Sequence, residues 1–324
     1  MLTSHRCNCV RDASYPILSY LTPSPTLSFD PPCSIFSDSA PVILELGSGQ
    51  SLASLHLLSE LHRLGNCRKN EEEREGKRAE VYLTDLEGVI PLVEENVERW
   101  RRKIRQNGSA CFDALKQDAP DTTVQREAYV DVHAHPLPWG DTAAADRLLA
   151  TSGKVNMGIT HILMIDLIYF PHLYPLLMST LLQITQPPFC VIDPGPRESE
   201  DGTTGPEIIL SYKSRSLEFE EPFFHSFQRY FRMTPLLSRP RREAGKKEDE
   251  RNDLEAGKDG AEWRVHGREE GVFTYICRRW RDTLPNSTAP EQVAEEDGGL
   301  QGGVMRKGGT WGWEEAQLSA IEWD

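Results

Sequence analysis

Apolar positions along this chain follow two periods that alternate from one end to the other. Val42 to Leu46 is a short apolar run ending in glycines, the pattern of a parallel strand covered on both faces. Ser51 to Leu64 then places Leu52, Leu55, Leu58 and Leu61 at helical spacing, and Gly65 predicts the stop. Glu80 to Thr84 predicts a second strand. Leu86 to Ile104 predicts a second helix whose apolar face carries Val89, Leu92, Val93, Val97 and Trp100. Further strands are expected near Ala128 to His133, at Ile162 to Ile165, at Ile208 to Tyr212 and at Val272 to Cys277. Helices are expected at Leu173 to Ile184 and at Pro222 to Arg232. In the second of these, Phe223, Phe224, Phe227 and Phe231 read as core packing. Strand and helix keep alternating, which predicts an α/β fold: a doubly wound, mostly parallel sheet with helices on both faces.

The segments without a period set the expected boundaries. Residues 1–40 are rich in Pro and Ser and read as a loosely ordered leader. Residues 41–285 read as one domain interrupted by charged insertions at 68–79 and 238–271. Residues 286–324 form a Gly- and acid-rich tail that includes Trp311, Trp313 and Trp323. The most hydrophobic stretch, His161 to Leu182, contains Asp166, Pro171 and Pro175, so it predicts a buried strand and a core helix rather than a membrane span. Pro16, Pro23 and Pro25 break up the N-terminus, and no secretory signal is expected there.

Composition narrows the partners. The 36 Lys and Arg against 50 Asp and Glu give a net charge of -14, which on average repels phosphate backbones and favours a basic protein partner over nucleic acid. Net charge does not locate a patch. The seven cysteines form no pair of C-x-x-C units and read as reduced thiols of the cytoplasm or nucleus. Cys7 and Cys9 lack further ligands, and His133 and His135 alternate on one strand without a third, so no metal is expected.

The sharpest motif is Glu45-Leu46-Gly47-Ser48-Gly49 between a predicted strand and a predicted helix. Glycines there let the backbone turn tightly and let a ligand press against the main chain. A dinucleotide fingerprint requires a third glycine where Leu52 stands, which disfavours NAD. Asp85 ends the second strand, where a carboxylate can accept both ribose hydroxyls. It also suits an N-cap of the following helix, and the two roles are compatible.

With these residues in view, the chain resembles the seven-β-strand protein-lysine methyltransferases of the methyltransferase-like group, family 16, including fungal enzymes that modify elongation factors. The resemblance rests on VILELGSG at 42–49, VYLTDLEGVIPLVEENV at 81–97, PLPWGD at 136–141, HILMIDLIYFPHLYPLL at 161–177 and ILSYKSRSLEFEEPFF at 209–224. It implies a Rossmann-like, seven-stranded sheet that binds S-adenosyl-L-methionine. It further implies that Glu45, Gly47, Ser48 and Gly49 line the methionine and ribose, that Asp85 and Leu86 sit at the ribose, and that Trp139 flanks the adenine. Asp166 and Tyr169 match the family's Asp-x-x-Tyr motif at the mouth, where Asp166 would touch both cofactor and incoming amine and Tyr169 would orient the amine. A carboxylate bonded to backbone amides at a strand end is the alternative for Asp166. Asn96 matches a recurrent family asparagine, or is part of a solvated helix face.

The implied activity is methylation of a lysine on a cytosolic protein such as an elongation factor, by a monomer that needs neither membrane nor nucleic acid. Two other readings remain: a SAM-fold interaction module without catalysis, and a methyltransferase of a small molecule or nucleic acid. Where the family continues its turn with a small residue and another Gly, this chain has Gln50 and Ser51, which predicts a bulkier turn. The family's Trp-bearing segment ahead of the first strand has no clear counterpart in residues 1–40.

Overall fold

The computed structural model describes residues 13–24, 26–38, 40–66, 78–113, 130–192, 202–241 and 262–285. In chain order, α1 (Ser14–Tyr20) and β1 (Leu27–Asp30) precede β2 (Val42–Leu46), α2 (Leu52–Asn66), β3 (Ala79–Asp85), α3 (Ile90–Asp113) and β4 (Val130–Pro136). There follow α4 (Thr142–Thr151), β5 (His161–Ile165), α5 (Tyr174–Ile184), β6 (Thr203–Lys213), α6 (Leu217–Gln228), β7 (Phe231–Pro235), β8 (Leu237–Pro240), β9 (Arg264–Val265) and β10 (Val272–Trp280). Seven strands form one sheet in the order β4-β3-β2-β5-β6-β10-β7. The first five run parallel, and β10 lies antiparallel to both of its neighbours. This is the doubly wound, mostly parallel sheet that the alternation of periods predicts.

Side chains alternate across the sheet, and each face buries its own helices. Leu44, Leu46, Met164 and Leu210 face α4, α5 and α6, with the rings of Phe223, Phe224 and Phe227 filling the far end. Ile43, Val81, Leu163 and Ile209 face α1, α2 and α3. Several sequence expectations shift in detail. The buried stripe of α2 is Ala53, Leu57, Leu58 and Leu61, so Leu52 and Leu55 lie on its margin. Helix α3 starts at Ile90, and its stripe of Ile90, Val93, Val97 and Trp100 leaves Leu92 43% exposed. Phe231 belongs to β7 rather than to the helix before it, yet its ring still stacks on Phe227 at 4.5 Å. Helix α4 has no counterpart among the expected elements. Its local signal is Asp141, whose carboxylate accepts the Ala144 N–H at 2.9 Å and caps the first turn.

The largest correction concerns the leader. Of residues 1–40, the described part is packed: Ala13, Ile17, Tyr20, Leu21 and Ile35 are all buried. Helix α1 lies over β6, where the Ser211 hydroxyl donates to the Ala13 carbonyl at 3.0 Å. Its apolar spacing of Ile17, Tyr20 and Leu21 spans barely one turn, too short to register as a period within a Pro- and Ser-rich stretch. The start of the expected charged insertion at 238–271 is likewise structured. Strand β8 pairs antiparallel with β1 and with β9, so a three-stranded sheet joins segments some two hundred residues apart. The expected 68–79 insertion and the 286–324 tail fall almost wholly outside the described residues.

A buried polar network fastens the 3₁₀ turn at Ser34–Phe36 to the amino end of β5 and to Glu207, its partner within β6. The Ser34 hydroxyl donates to Glu207 Oε1 at 2.6 Å and meets His161 Nε2 at 2.9 Å, while His161 Nδ1 meets the Thr160 hydroxyl at 2.7 Å. Burial holds His161 below the ordinary histidine value of 6.5, outweighing the opposite pull of the Glu207 and Asp38 carboxylates; Arg278 adds to the lowering.

Two outcomes are expected. Ile17→Ala should cost about 2–5 kcal/mol in urea unfolding, the range for emptying a buried aliphatic site; a loosely attached leader would show no change. His161 remains neutral in the folded chain where the unfolded chain takes a proton. Its contribution is therefore complete above 6.5 and is lost as pH falls below that value. The urea midpoint should fall between pH 7 and pH 5, and His161→Gln should flatten that slope.

Candidate functional site

From β2 the chain winds to β3 and β4 on one side of the sheet, then returns through β5 and β6 on the other. Loops leaving β2 and β5 therefore diverge to opposite faces, which makes this the switch point, where a doubly wound sheet forms its crevice outside the carboxyl ends of the strands. The cofactor and substrate residues that the resemblance implies sit along this edge, Glu45 and Asp85 at the ends of β2 and β3 and the others on the turns that follow β2, β3, β4 and β5.

The turn after β2 is left-handed at three places: Gly47 with φ 58°, Gly49 with φ 53° and Ser51 with φ 56°. A Cβ on Gly47 would lie 2.8 Å from Leu167 Cδ2 and 3.3 Å from Trp139 Cζ2, so glycine is required both for the angle and for the space. Three loops thus meet at Gly47. Thr84 anchors the turn from β3: its carbonyl accepts the Ser48 N–H and hydroxyl, each at 2.9 Å, and its own hydroxyl donates to the Glu45 carbonyl at 2.7 Å.

Asp85 completes the connection. One carboxylate oxygen accepts the Gly49 N–H at 2.7 Å, and the other accepts the Leu86 N–H, also at 2.7 Å. Helix α3 begins five residues later, so Asp85 does not cap it. The carboxylate is half-buried and binds loop to loop. Asn96 serves the same turn, because its amide donates to the Gln50 carbonyl at 3.2 Å; it is more than a solvated face of α3. Ser51 takes a left-handed angle although it is not a glycine. The expected bulk is accommodated by burial, and among the described residues its hydroxyl has no hydrogen-bond partner.

At the mouth, Asp166 also has a left-handed backbone, with φ 56°, and donates its N–H to the Ser211 carbonyl at 2.7 Å. Its carboxylate does not rest on backbone amides. It receives both guanidinium nitrogens of Arg215, at 2.8 and 2.7 Å, in a fork-to-fork pair. Three residues on, Tyr169 stands at the surface with its ring edge-on to Phe170 at 4.7 Å. Trp139 is half-buried beside Gly47, Glu45 is buried at the end of β2, and Leu86 is exposed next to Asp85.

Sequence reading missed Leu167, Arg215 and Glu220. Buried Glu220 accepts the backbone N–H of Arg215 at 2.6 Å and of Ser216 at 2.9 Å, and the Ser214 hydroxyl at 2.8 Å. An acid in the first turn of a helix is a visible signal for that role; an arginine two residues past a strand is not. His133 and His135 share a face of β4, where the His133 ring stacks on Tyr82, and no group of three or more His, Cys, Asp or Glu suited to a metal occurs among the described residues.

Changing Gly47 to Ala should cost about 1–2 kcal/mol from the backbone angle alone, with the clash against Leu167 added, as read by thermal unfolding. Gly88→Ala is the control: no atom lies within 4 Å of a Cβ there, and its stability should be unchanged.

No protein-family model matches the chain. It is 27% identical over 189 residues to the protein-lysine N-methyltransferase EFM6 of Saccharomyces cerevisiae, covering 58% of this chain and 56% of the yeast protein. The chain thus spans a little over half the length of the curated relative it matches. Similar solved structures include an rRNA methylase from Streptococcus thermophilus, at 10% identity over 75% of this chain and 89% of that one with a TM-score of 0.31. Another is an O-methyltransferase from Bacillus cereus in complex with SAH, at 12% identity over 74% of each chain with a TM-score of 0.29. The chain is a distant homologue of the yeast enzyme.

Proposed function

We propose that this chain is an S-adenosylmethionine-dependent methyltransferase that modifies a lysine side chain of another protein. The observation that carries the proposal is the bond from the Gly49 N–H to Asp85, which brings the glycine turn and the acid into one seat at the switch point of the sheet. The homology to a yeast protein-lysine methyltransferase supports the same reading.

The residues present suit the cofactor. Asp85 offers a half-exposed carboxylate to vicinal hydroxyls, Leu86 and Trp139 offer apolar surface to a flat base, and the absence of a side chain at Gly47 lets the loops of Leu167 and Trp139 close against the turn. Glu45, Ser48 and Gly49 would line the methionine and ribose of the cofactor. When bound, the cofactor supplies a methyl group on a positively charged sulfur, already activated for displacement by a neutral amine. The chain's task is then placement. Asp166 and Tyr169 stand at the mouth, one buried and one exposed, to hold and orient the amine. Tyr169 and Phe170 on the turn after β5, and Leu217 and Phe219 in the first turn of α6, expose apolar side chains, which suits a protein acceptor better than a small metabolite. The resemblance points to an elongation factor in the cytoplasm, and the acidic balance to a basic region of it. The chain is proposed to act as a monomer.

Calorimetric titration tests the seat. Wild-type chain should bind S-adenosylmethionine, and Asp85→Ala should weaken binding by about tenfold or more, since one lost charged contact is worth at least about 1.4 kcal/mol. A wild-type chain that gives no heat at millimolar cofactor overturns the reading. Radiolabelled methyl transfer into a cell extract should appear in the protein fraction; label confined to small molecules would reassign the acceptor. Tyr169→Phe should lower that transfer while leaving cofactor affinity unchanged.

A further inference from the structure

We infer that Arg215 is a built-in placeholder for the acceptor lysine: its guanidinium occupies the cation seat on Asp166 and is displaced when a lysine enters. The inference rests on the lysine-acceptor reading above.

The pair has an inside and an outside. The Asp166 side chain is 5% exposed and the Arg215 side chain 46% exposed, so the anion is fixed in the protein and the cation reaches it from solvent. That is the direction from which a lysine on another protein must come. Asp166 is held from behind by its own backbone, through the bond to the Ser211 carbonyl and the left-handed φ, and cannot follow a departing partner. Arg215 is held differently. Its backbone N–H is fixed by Glu220, together with Ser214 and Ser216, whereas its guanidinium is bonded to Asp166 and, at 3.1 Å, to the Lys213 carbonyl. The loop therefore keeps its course when the side chain swings out.

Charge explains why a placeholder is needed. A buried carboxylate with no cation is far less stable than one that is paired, so Asp166 requires a positive group whether or not substrate is present. Exchange of guanidinium for ammonium keeps the pair throughout, and the displaced guanidinium regains water. The two cations are not equivalent: the planar fork engages both oxygens, whereas ammonium is a compact point charge. Arg215 thus sets a threshold that a lone lysine side chain does not easily pass, and one presented by a docked protein does. Arg215 acts through Asp166, as a positioning and selectivity residue.

The probe is Nα-acetyl-lysine amide, titrated without cofactor into the full chain, with Nα-acetyl-norleucine amide as the uncharged control. Removing the competitor in Arg215→Met should tighten probe binding by about tenfold or more over wild type. Arg215→Lys, which keeps a charge but loses the fork, should fall between the two. Arg215→Met/Asp166→Asn should lose the gain, and the norleucine control should not distinguish the variants. A purely structural Arg215 would leave probe affinity unchanged or weaken it, and either result overturns the inference. Should Arg215→Met not fold, Arg215→Lys decides alone: tighter than wild type supports the placeholder, equal or weaker overturns it. The titration needs no cofactor, so a separate assay with S-adenosylmethionine that shows no methyl transfer while this pattern is intact would sink the enzymatic reading and leave the cation seat standing.

Discussion

Two backbone N–H groups on one carboxylate hold the candidate site together. Asp85 accepts from Gly49 and from Leu86, so the turn leaving β2 and the turn leaving β3 share a single anchor at the crevice. Parallel strands alone bring the two turns to one edge; they do not fix how the turns face each other. A charged acceptor with two short bonds does. Around that anchor Thr84, Asn96 and the absence of a side chain at Gly47 settle the remaining freedom of the loop.

The neighbouring strands apply the same logic with the opposite charge relation. Where Asp85 serves backbone amides, Asp166 serves a guanidinium, and both acids sit at the carboxyl end of a parallel strand. Backbone strain marks this edge: Ser51 and Asp166 are the non-glycine residues with positive φ among the described residues, one on each side of the crevice. Strain of this kind persists only where surrounding contacts over-determine it, and here the sheet behind and the helices on both faces supply them.

Packing on the α1 face shows how far local composition misleads. A helix of seven residues cannot stand alone in water. It exists here because Ile17, Tyr20 and Leu21 complete a layer that α2 and α3 leave open over β6, and because β1 finds β8. Neither condition is written in residues 1–40 themselves.

What this sequence determined by itself was periodicity and turn chemistry. Buried parallel strands read as apolar runs, the helices read from their stripes, and the glycine turn and the acid ending the next strand each read from their own segment, because each depends on residues adjacent in the chain. Tertiary structure alone decided which acid faces which partner. Asp85 and Asp166 look alike as strand-end carboxylates, yet one ties two loops and the other meets Arg215, forty-nine positions away. Electrostatic pairing is set by distance in space, and a chain folded through seven strands brings together charges that no local pattern relates.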